Sequence, residues 1–358
     1  MGNGVLQIVG LTKRYGGAAA LDDVNLNIPQ DCYVSLLGAS GSGKTVLLRI
    51  IAGFEEPDAG AIVFSGRDIV GAPAFSRGIG FVFQNFALFP HLSVYENIAF
   101  GLKNRAEGKP LGKSELRDRV RAMIELIGLS GLEARGVQQI SGGQRQRVAL
   151  ARTLVTDPRL VLLDEPLGAL DANLRTRMRS ELRRIRSRLG VTFLHVTGSE
   201  TEALAMGDRV VVLDRGRVGQ FDTPDIVFSQ PASPNVARSL NCYNMFQGRI
   251  DAELFITGDH QFRIGPSAKN NRDASYAIRQ DMIAIRDSDC APGPDEVSLN
   301  GRYLASEYTG SAFMYFFQIP GGPIVEVENH LSHRAMQDLS ANTDYTLTWK
   351  ARNALVFG

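Results

Sequence analysis

The chain has 358 residues, 44% of them hydrophobic and 22% charged, with 39 Lys+Arg against 38 Asp+Glu and a formal net charge of +1. That length suits two soluble globular domains, and the charge balance gives no basis for bulk electrostatic binding of nucleic acid. The three cysteines, Cys32, Cys242 and Cys290, are far apart, suit a reducing compartment and have no metal-ligand spacing. No apolar run approaches the ~20 residues of a membrane span. The N-terminal stretch MGNGVLQIVG lacks the regions of a signal peptide, and Leu6 breaks the myristoylation pattern that Gly2 begins. The expectation is a cytosolic chain, held by a partner if it works at a membrane.

Residues 5 to 37 alternate apolar and polar, with turns at Gly16-Gly17 and Pro29, and read as short strands. Tyr15 lies in one of these turns. It has two readings: an aromatic face for a nucleobase, or a partly buried residue at a strand end.

Gly38-Ala39-Ser40-Gly41-Ser42-Gly43-Lys44-Thr45 fits the phosphate-binding pattern G-x-x-x-x-G-K-[ST]. A buried strand from Tyr33 to Leu37 precedes it. A helix over Val46 to Ala52 follows, with Gly53 placed to end it. The glycines let backbone N–H groups turn inward, and the helix N-terminus adds its dipole, so the loop suits a polyphosphate such as that of ATP. In this motif Lys44 reaches the β- and γ-phosphates and the Thr45 hydroxyl ligates Mg²⁺.

The β pattern continues through Ala61–Phe64 and Ile79–Phe83 and ends at Gln84. A neutral amide there suits a Mg²⁺ ligand or an orienting group for water, and equally a strand-end turn. Ser93-Val94-Tyr95-Glu96 reads as a capping box, and Ser114 to Ile127 has helical spacing. This region reads as a helical insertion, and Phe86 and Phe89 read either as an exposed partner surface or as packing within it. Ser141 caps the next helix, and Gly142-Gly143-Gln144 leaves backbone N–H groups bare, a second anion site without a lysine. A second copy of the chain could bring that site to the first copy's γ-phosphate.

Leu160-Val161-Leu162-Leu163-Asp164-Glu165 reads as a buried parallel strand ending in two acids, where ligands sit in open α/β sheets. Asp164 suits the Mg²⁺ shell and Glu165 the polarisation of an attacking water. A helical face runs Leu174, Met178, Leu182, Ile185, Leu189, and seven arginines lie between Arg175 and Arg188, most simply as a solvated face. Val191–Val196 and Arg209–Leu213 read as strands, with a hairpin turn at Asp214-Arg215-Gly216-Arg217. Phe221 to Pro234 reads as a linker. Beyond it, Ile278–Ile285, Phe313–Ile319, Ile324–Val327 and Tyr345–Trp349 suggest a small barrel of the OB type. His330 and His333 lie close in sequence, but no third metal ligand accompanies them.

The order of these motifs resembles the ATP-binding subunits of ABC transporters: phosphate loop, Gln84, an ISGGQ signature, LVLLDEP, then GALD. The region from about 236 resembles the TOBE domain of importer ATPases for polyamines, ferric iron, phosphonates and sugars, with Ala277 to Asp281 at a characteristic segment and Trp349 near the expected end. The resemblance implies an α/β fold: a P-loop NTPase domain of the ABC type over 1–235, with a helical subdomain at about 86–158, then a small all-β OB-like TOBE domain over 236–358. It implies an ATPase, with ATP and Mg²⁺ as cofactors, and a head-to-tail homodimer. Each ATP would lie between Gly38, Ser40, Gly41, Ser42, Gly43, Lys44 and Thr45 of one copy and Ser141, Gly142, Gly143 and Gln144 of the other. Tyr15 would stack on adenine, Asp171 would join the nucleotide site, and Asp164, Thr45 and Gln84 would hold Mg²⁺. Glu165, Lys44 and Gln84 would carry the chemistry. Gln84 would also pass closure to integral membrane permease subunits, with Phe86 to Tyr95 near the docking groove. A separate solute-binding protein is expected and nucleic acid is not. The place of work the resemblance implies is the cytoplasmic face of the inner membrane.

One position departs from that pattern. After Val196-Thr197 the family has a switch histidine that contacts the γ-phosphate, and here the residue is Gly198. His195 is three residues earlier, an odd offset along a strand that points it to the opposite face. Either Glu165 suffices, or another group fills the gap, or the chain is a regulatory ATP-binding switch with weak hydrolysis.

Overall fold

The computed structural model describes residues 4–104, 111–168, 170–264, 271–288, 292–293, 295–332 and 337–358. Cys290 and His333 lie outside them. Two units, 1–229 and 230–358, each hold their own core.

In the first unit, β1 (Leu6–Tyr15) and β2 (Ala18–Ile28) form a long hairpin rather than several short strands, and β3 (Tyr33–Leu37), α1 (Lys44–Ala52), β4 (Ala59–Phe64) and β5 (Arg67–Asp68) follow. Next come β6 (Ile79–Val82), α2 (Val94–Lys103), α3 (Lys113–Leu126), α4 (Gly142–Leu154), β7 (Leu160–Asp164) and α5 (Ala172–Leu189). The unit ends with β8 (Thr192–Thr197), α6 (Glu200–Met206), β9 (Arg209–Asp214), β10 (Arg217–Asp222) and α7 (Pro224–Ser229). An antiparallel sheet runs β2-β1-β4-β5, and a second sheet runs β10-β9-β3-β8-β7-β6. In the second sheet β9, β3, β8, β7 and β6 are parallel. Their continuous apolar runs follow from burial on both faces: β3 and β8 are buried at every residue. One core joins this sheet to α1 and the antiparallel sheet. The other joins its opposite face to α2–α5, including Val94, Ile98, Val148, Leu150, Met178 and Leu182.

Local signals set the helix ends. Gly53 closes α1 in the left-handed conformation at φ 83°. Ser93 and Glu96 form the capping box of α2, and Ser141 and Gln144 form that of α4. Leu189, expected on the buried face of α5, is instead 42% exposed, because Gly190 ends the helix directly after it. The expected linker is not irregular: Pro224 opens α7, and Pro234 opens α8 (Pro234–Ser239) in the second unit. A proline at the start of a helix forfeits no intrahelical hydrogen bond.

The second unit is otherwise β: β11 (Tyr243–Asp251), β12 (Leu254–Thr257), β13 (His260–Arg263), β14 (Asn271–Arg279), β15 (Ala284–Asp287), β16 (Glu296–Tyr308), β17 (Ala312–Gln318), β18 (Ile324–His330), β19 (Asp344–Lys350) and β20 (Leu355–Phe357). They form two five-stranded sheets, β13-β12-β11-β14-β20 and β15-β19-β16-β17-β18. The run expected as one strand over 278–285 is broken by a 3₁₀ turn at Gln280–Met282. In the core of this unit the Trp349 indole N–H donates to the Tyr276 hydroxyl at 2.7 Å. No cluster of three or more metal-ligating side chains occurs among the described residues.

Candidate active site

Strand order builds this site. Since β3, β8, β7 and β6 are adjacent and parallel, the segments leaving their C-terminal ends emerge on one edge of the sheet. Those segments begin with Gly38, Gly198, Glu165 and Phe83, with Gln84 next after Phe83.

The loop after β3 has the geometry of an anion cradle. A Cβ on Gly38 would lie 2.4 Å from the Leu213 carbonyl oxygen and 2.5 Å from Ser42 Oγ, so the backbone there tolerates no side chain. Gly41 and Gly43 sit at φ 79° and 100°. Lys44 is 7% exposed, and its Nζ donates to the carbonyls of Gly38 at 2.8 Å and Ala39 at 2.9 Å. Burial lowers the Lys44 pKa, while Glu165 and Asp164 oppose that shift. Ser42 Oγ is buried with no hydrogen-bond partner among the described residues. A buried orphan hydroxyl beside a confined ammonium at a helix N-terminus fits a polyphosphate.

Asp164 ends β7, and burial, then the neighbouring Glu165, raises its pKa. Glu165 has φ 44°, a left-handed conformation that costs a non-glycine residue about 1–2 kcal/mol. Its N–H donates to the Val196 carbonyl at 3.1 Å, and its Oε2 accepts from Gln84 Nε2 at 3.0 Å. These bonds hold the carboxylate where the strained backbone presents it. The oxygens of Thr45, Gln84 and Asp164 form a hard donor set, which suits Mg²⁺.

Beside Glu165 is a cavity of about 170 Å³ lined by Glu165, Gly168, Arg175, Gly198, Ser199 and Glu202, among others. A Cβ on Gly198 would meet no atom within 4 Å. His195, as its offset predicts, does not line the cavity: it is fully buried, and burial pushes its pKa down to about 3. Arg175 and Glu202 were not singled out from the sequence. The available signal was Glu202 itself, a charge on the same face of α6 as the buried Ala203 and Met206.

The ABC transporter family profile matches residues 21–168, and the TOBE domain profile matches 276–357. The spermidine/putrescine import ATP-binding protein PotA of Rubrobacter xylanophilus is 38% identical over 99% of this chain and 93% of its own. The sulfate/thiosulfate import ATP-binding protein CysA of Bordetella bronchiseptica is 39% identical over 98% of each. Among solved structures, the dimeric post-hydrolysis state of the ATP-binding cassette MJ0796, bound to ADP and Pi, superposes with a TM-score of 0.54. It is 31% identical and covers 61% of this chain and 98% of that one.

The chain belongs to the ABC transporter family.

It is an ATP-binding, ATP-hydrolysing subunit of the importer type with a TOBE domain, and the reading as a regulatory switch is not favoured. In this ABC ATPase the signature opens α4. A Cβ on Gly143 would lie 2.8 Å from the Leu174 side chain, which accounts for a glycine there. Gln144 Oε1 is engaged by the Ser141 N–H at 2.8 Å. Asp171 caps α5 by accepting from the Leu174 N–H at 2.9 Å. Tyr15 ends β1, 48% exposed, with its hydroxyl donating to Glu55, a bond that pushes its pKa up to about 12.

Of the two readings of Phe86, packing within the helical insertion is the one the structure has, and the exposed one falls. Phe86 is 8% exposed and packs in the core of the helical subdomain. Phe86 and Ala87 both have positive φ, at 65° and 46°, and this turn carries the ring inward. Phe89 is half-buried, 4.3 Å from Phe100 between ring centroids and 5.5 Å from the Arg152 guanidinium. The exposed phenylalanines among the described residues are Phe54, Phe75, Phe83 and Phe100.

Proposed function

We propose that this chain is the ATPase of a solute importer. It works as a homodimer with integral membrane permease subunits and a separate solute-binding protein, at the cytoplasmic face of the inner membrane. The observation that carries this reading is the single edge on which the Gly38–Thr45 cradle, Asp164, Glu165 and Gln84 meet. No helix among the described residues is long and apolar enough to cross a membrane, which agrees with peripheral attachment. A polyamine importer's ATPase and an oxyanion importer's ATPase are about equally similar to this chain. That supports a role in which the ATPase does not itself read the solute.

In the mechanism, Gly38 to Gly43 and the N-terminus of α1 bind the phosphates, and Lys44 turns its ammonium to them. Thr45, Gln84 and Asp164 are the residues that would hold Mg²⁺. When bound, the ion neutralises charge on the phosphates. Glu165 takes a proton from the attacking water as the water oxygen bonds to the γ-phosphorus. The bridging P–O bond breaks and ADP leaves with its electron pair. Gln84 keeps the Glu165 carboxylate in place. Ser141 to Gln144 close on the partner's nucleotide, Tyr15 stacks on the adenine, and Asp171 fixes the start of α5 at that interface.

The test is Mg²⁺-dependent ATP turnover by the full chain beside Glu165→Gln. A loss of at least a hundredfold, with ATP still bound, is the expected result. Turnover that survives the substitution refutes the assignment of the base. Failure to co-purify with integral membrane proteins from the native host refutes the importer reading.

A further inference from the structure

The cavity beside Glu165 has a second carboxylate on its wall, and that group is built in rather than incidental. Glu202 is 5% exposed, yet it is one of the residues that line the cavity. The Thr197 hydroxyl donates to Glu202 Oε2. His195 Nε2 lies 3.6 Å from the same oxygen and has no hydrogen-bond partner among the described residues. Behind it, the Tyr33 hydroxyl meets His195 Nδ1 at 3.0 Å and fixes the ring from the other side. Thr197 Oγ1 accepts from the Ser199 N–H at 3.0 Å, and Ser199 Oγ accepts from the Glu202 N–H at 3.3 Å. The end of β8 and the first turn of α6 therefore form one bonded unit that orients a single carboxylate.

Burying a carboxylate disfavours its charged form, and for Glu202 burial is the largest cause of a raised pKa. A cavity lined by Glu165, Glu202, Arg175 and Ser199 is polar and large enough for ordered water, which needs two to four polar partners. A water between two carboxylates donates one hydrogen bond to each, which leaves its lone pairs free of both. The space left at Gly198 keeps this position open.

We propose that Glu202 orients the attacking water across the cavity from Glu165, and that Thr197 and His195 are positioning residues acting through Glu202. This rests on the reading of Glu165 as the base. Glu202 accepts one hydrogen bond from the water and takes no proton, while the other proton passes to Glu165. Glu202 thereby does the orienting that no side chain at Gly198 can do.

The experiment measures kcat and the ATP KM of the full chain for wild type, Glu165→Gln, Glu202→Gln, His195→Phe, Gly198→His and the double variant Glu202→Gln/Gly198→His, with melting temperatures as a control on folding. Glutamine keeps an acceptor for Thr197 and the shape of the site. The expected result for Glu202→Gln is a ten- to hundredfold loss of kcat with KM within threefold of wild type. In the double variant, the imidazole enters the cavity and recovers at least tenfold. His195→Phe lowers kcat two- to tenfold at unchanged KM. A Glu202→Gln chain within twofold of wild type, beside an inactive Glu165→Gln, overturns the proposal and leaves the base assignment standing. An active Glu165→Gln overturns that assignment itself. A parallel loss of kcat, ATP affinity and melting temperature that histidine at 198 does not recover makes Glu202 merely structural and also overturns the proposal.

Discussion

Three glycines at the active edge respond to alanine in an order that their surroundings fix. At Gly43, which caps α1 with φ 100° and ψ 3°, an added Cβ would lie 2.4 Å from the Ala20 carbonyl oxygen and 2.9 Å from Leu21 Cδ2. Ala20 is held within β2, so the loop rather than the strand must shift. The left-handed backbone costs about 1–2 kcal/mol and overpacking about 1–3 kcal/mol more, so Gly43→Ala should lose about 2–5 kcal/mol. At Gly41, φ is 79° but a Cβ would meet nothing within 4 Å, so only the backbone cost of about 1–2 kcal/mol remains. Gly198 has no positive φ and equal space, so Gly198→Ala should be neutral or stabilise by up to about 1 kcal/mol. Urea unfolding without nucleotide, followed by far-UV circular dichroism, isolates these terms from any effect on ATP. Equal losses for Gly41→Ala and Gly43→Ala would refute the contact argument. A clear loss for Gly198→Ala would refute the open space beside that residue.

Tyr15→Ala should weaken ATP binding about tenfold, the ~1.4 kcal/mol of a stacked ring, while Tyr15→Phe, which loses only the bond to Glu55, stays within about threefold in titration calorimetry. His195 contributes acid sensitivity. Its folded pKa of about 3 lies below the unfolded value of 6.5, so as pH falls from 6.5 towards 3 the unfolded chain takes up a proton that the folded chain does not. Stability should drop over that window by a few kcal/mol, and His195→Phe should flatten the drop in urea midpoints measured between pH 7 and 4. A drop of the same size in both proteins would show that other groups carry it. Arg152 donates to the Ala87 and Phe86 carbonyls at 2.7 and 3.1 Å, across two consecutive residues of positive φ. Arg152→Ala should destabilise by about 2–4 kcal/mol in urea unfolding, and Arg152→Lys, without the planar fork, should recover less than half of that.

The phosphate loop was legible because its chemistry is written in backbone requirements: Gly38 and Gly43 mark places where a Cβ collides, and sequence records such places directly. The parallel sheet was legible from the apolar runs of β3, β7 and β8, which two-sided burial demands. Phe86 stayed open between two readings because its direction depends on two left-handed residues, neither of them glycine. The strand β16 escaped notice because its second half is exposed and alternates weakly. Its Gly301, which looks like a breaker, instead lets Phe317 and Ile319 approach to within 3.0 Å of where a Cβ would stand. Glu202 was missed for a different reason. A glutamate at the start of a short helix reads as solvated, and only the packing of α6 on β3 and β8 buries it.

The arrangement around Gly198 separates what the fold requires from what the chemistry requires. No steric or backbone demand keeps a glycine there, since an L-residue would fit without strain. At Glu202 the reverse holds. Its neighbours Ala203 and Met206 are apolar and buried, and a fold that needed only packing would be served at lower cost by a third apolar residue. A buried carboxylate is instead present, bonded by Thr197 and backed by a neutral His195 whose Nε2 has that carboxylate nearby and no other partner among the described residues. Both the strained backbone of Glu165 and the buried charge of Glu202 are costs borne on the wall of one cavity. Where local rules are broken twice at one place, and the Gly38–Thr45 cradle lies on the same edge of the sheet, the stability given up there is best accounted for by water activation.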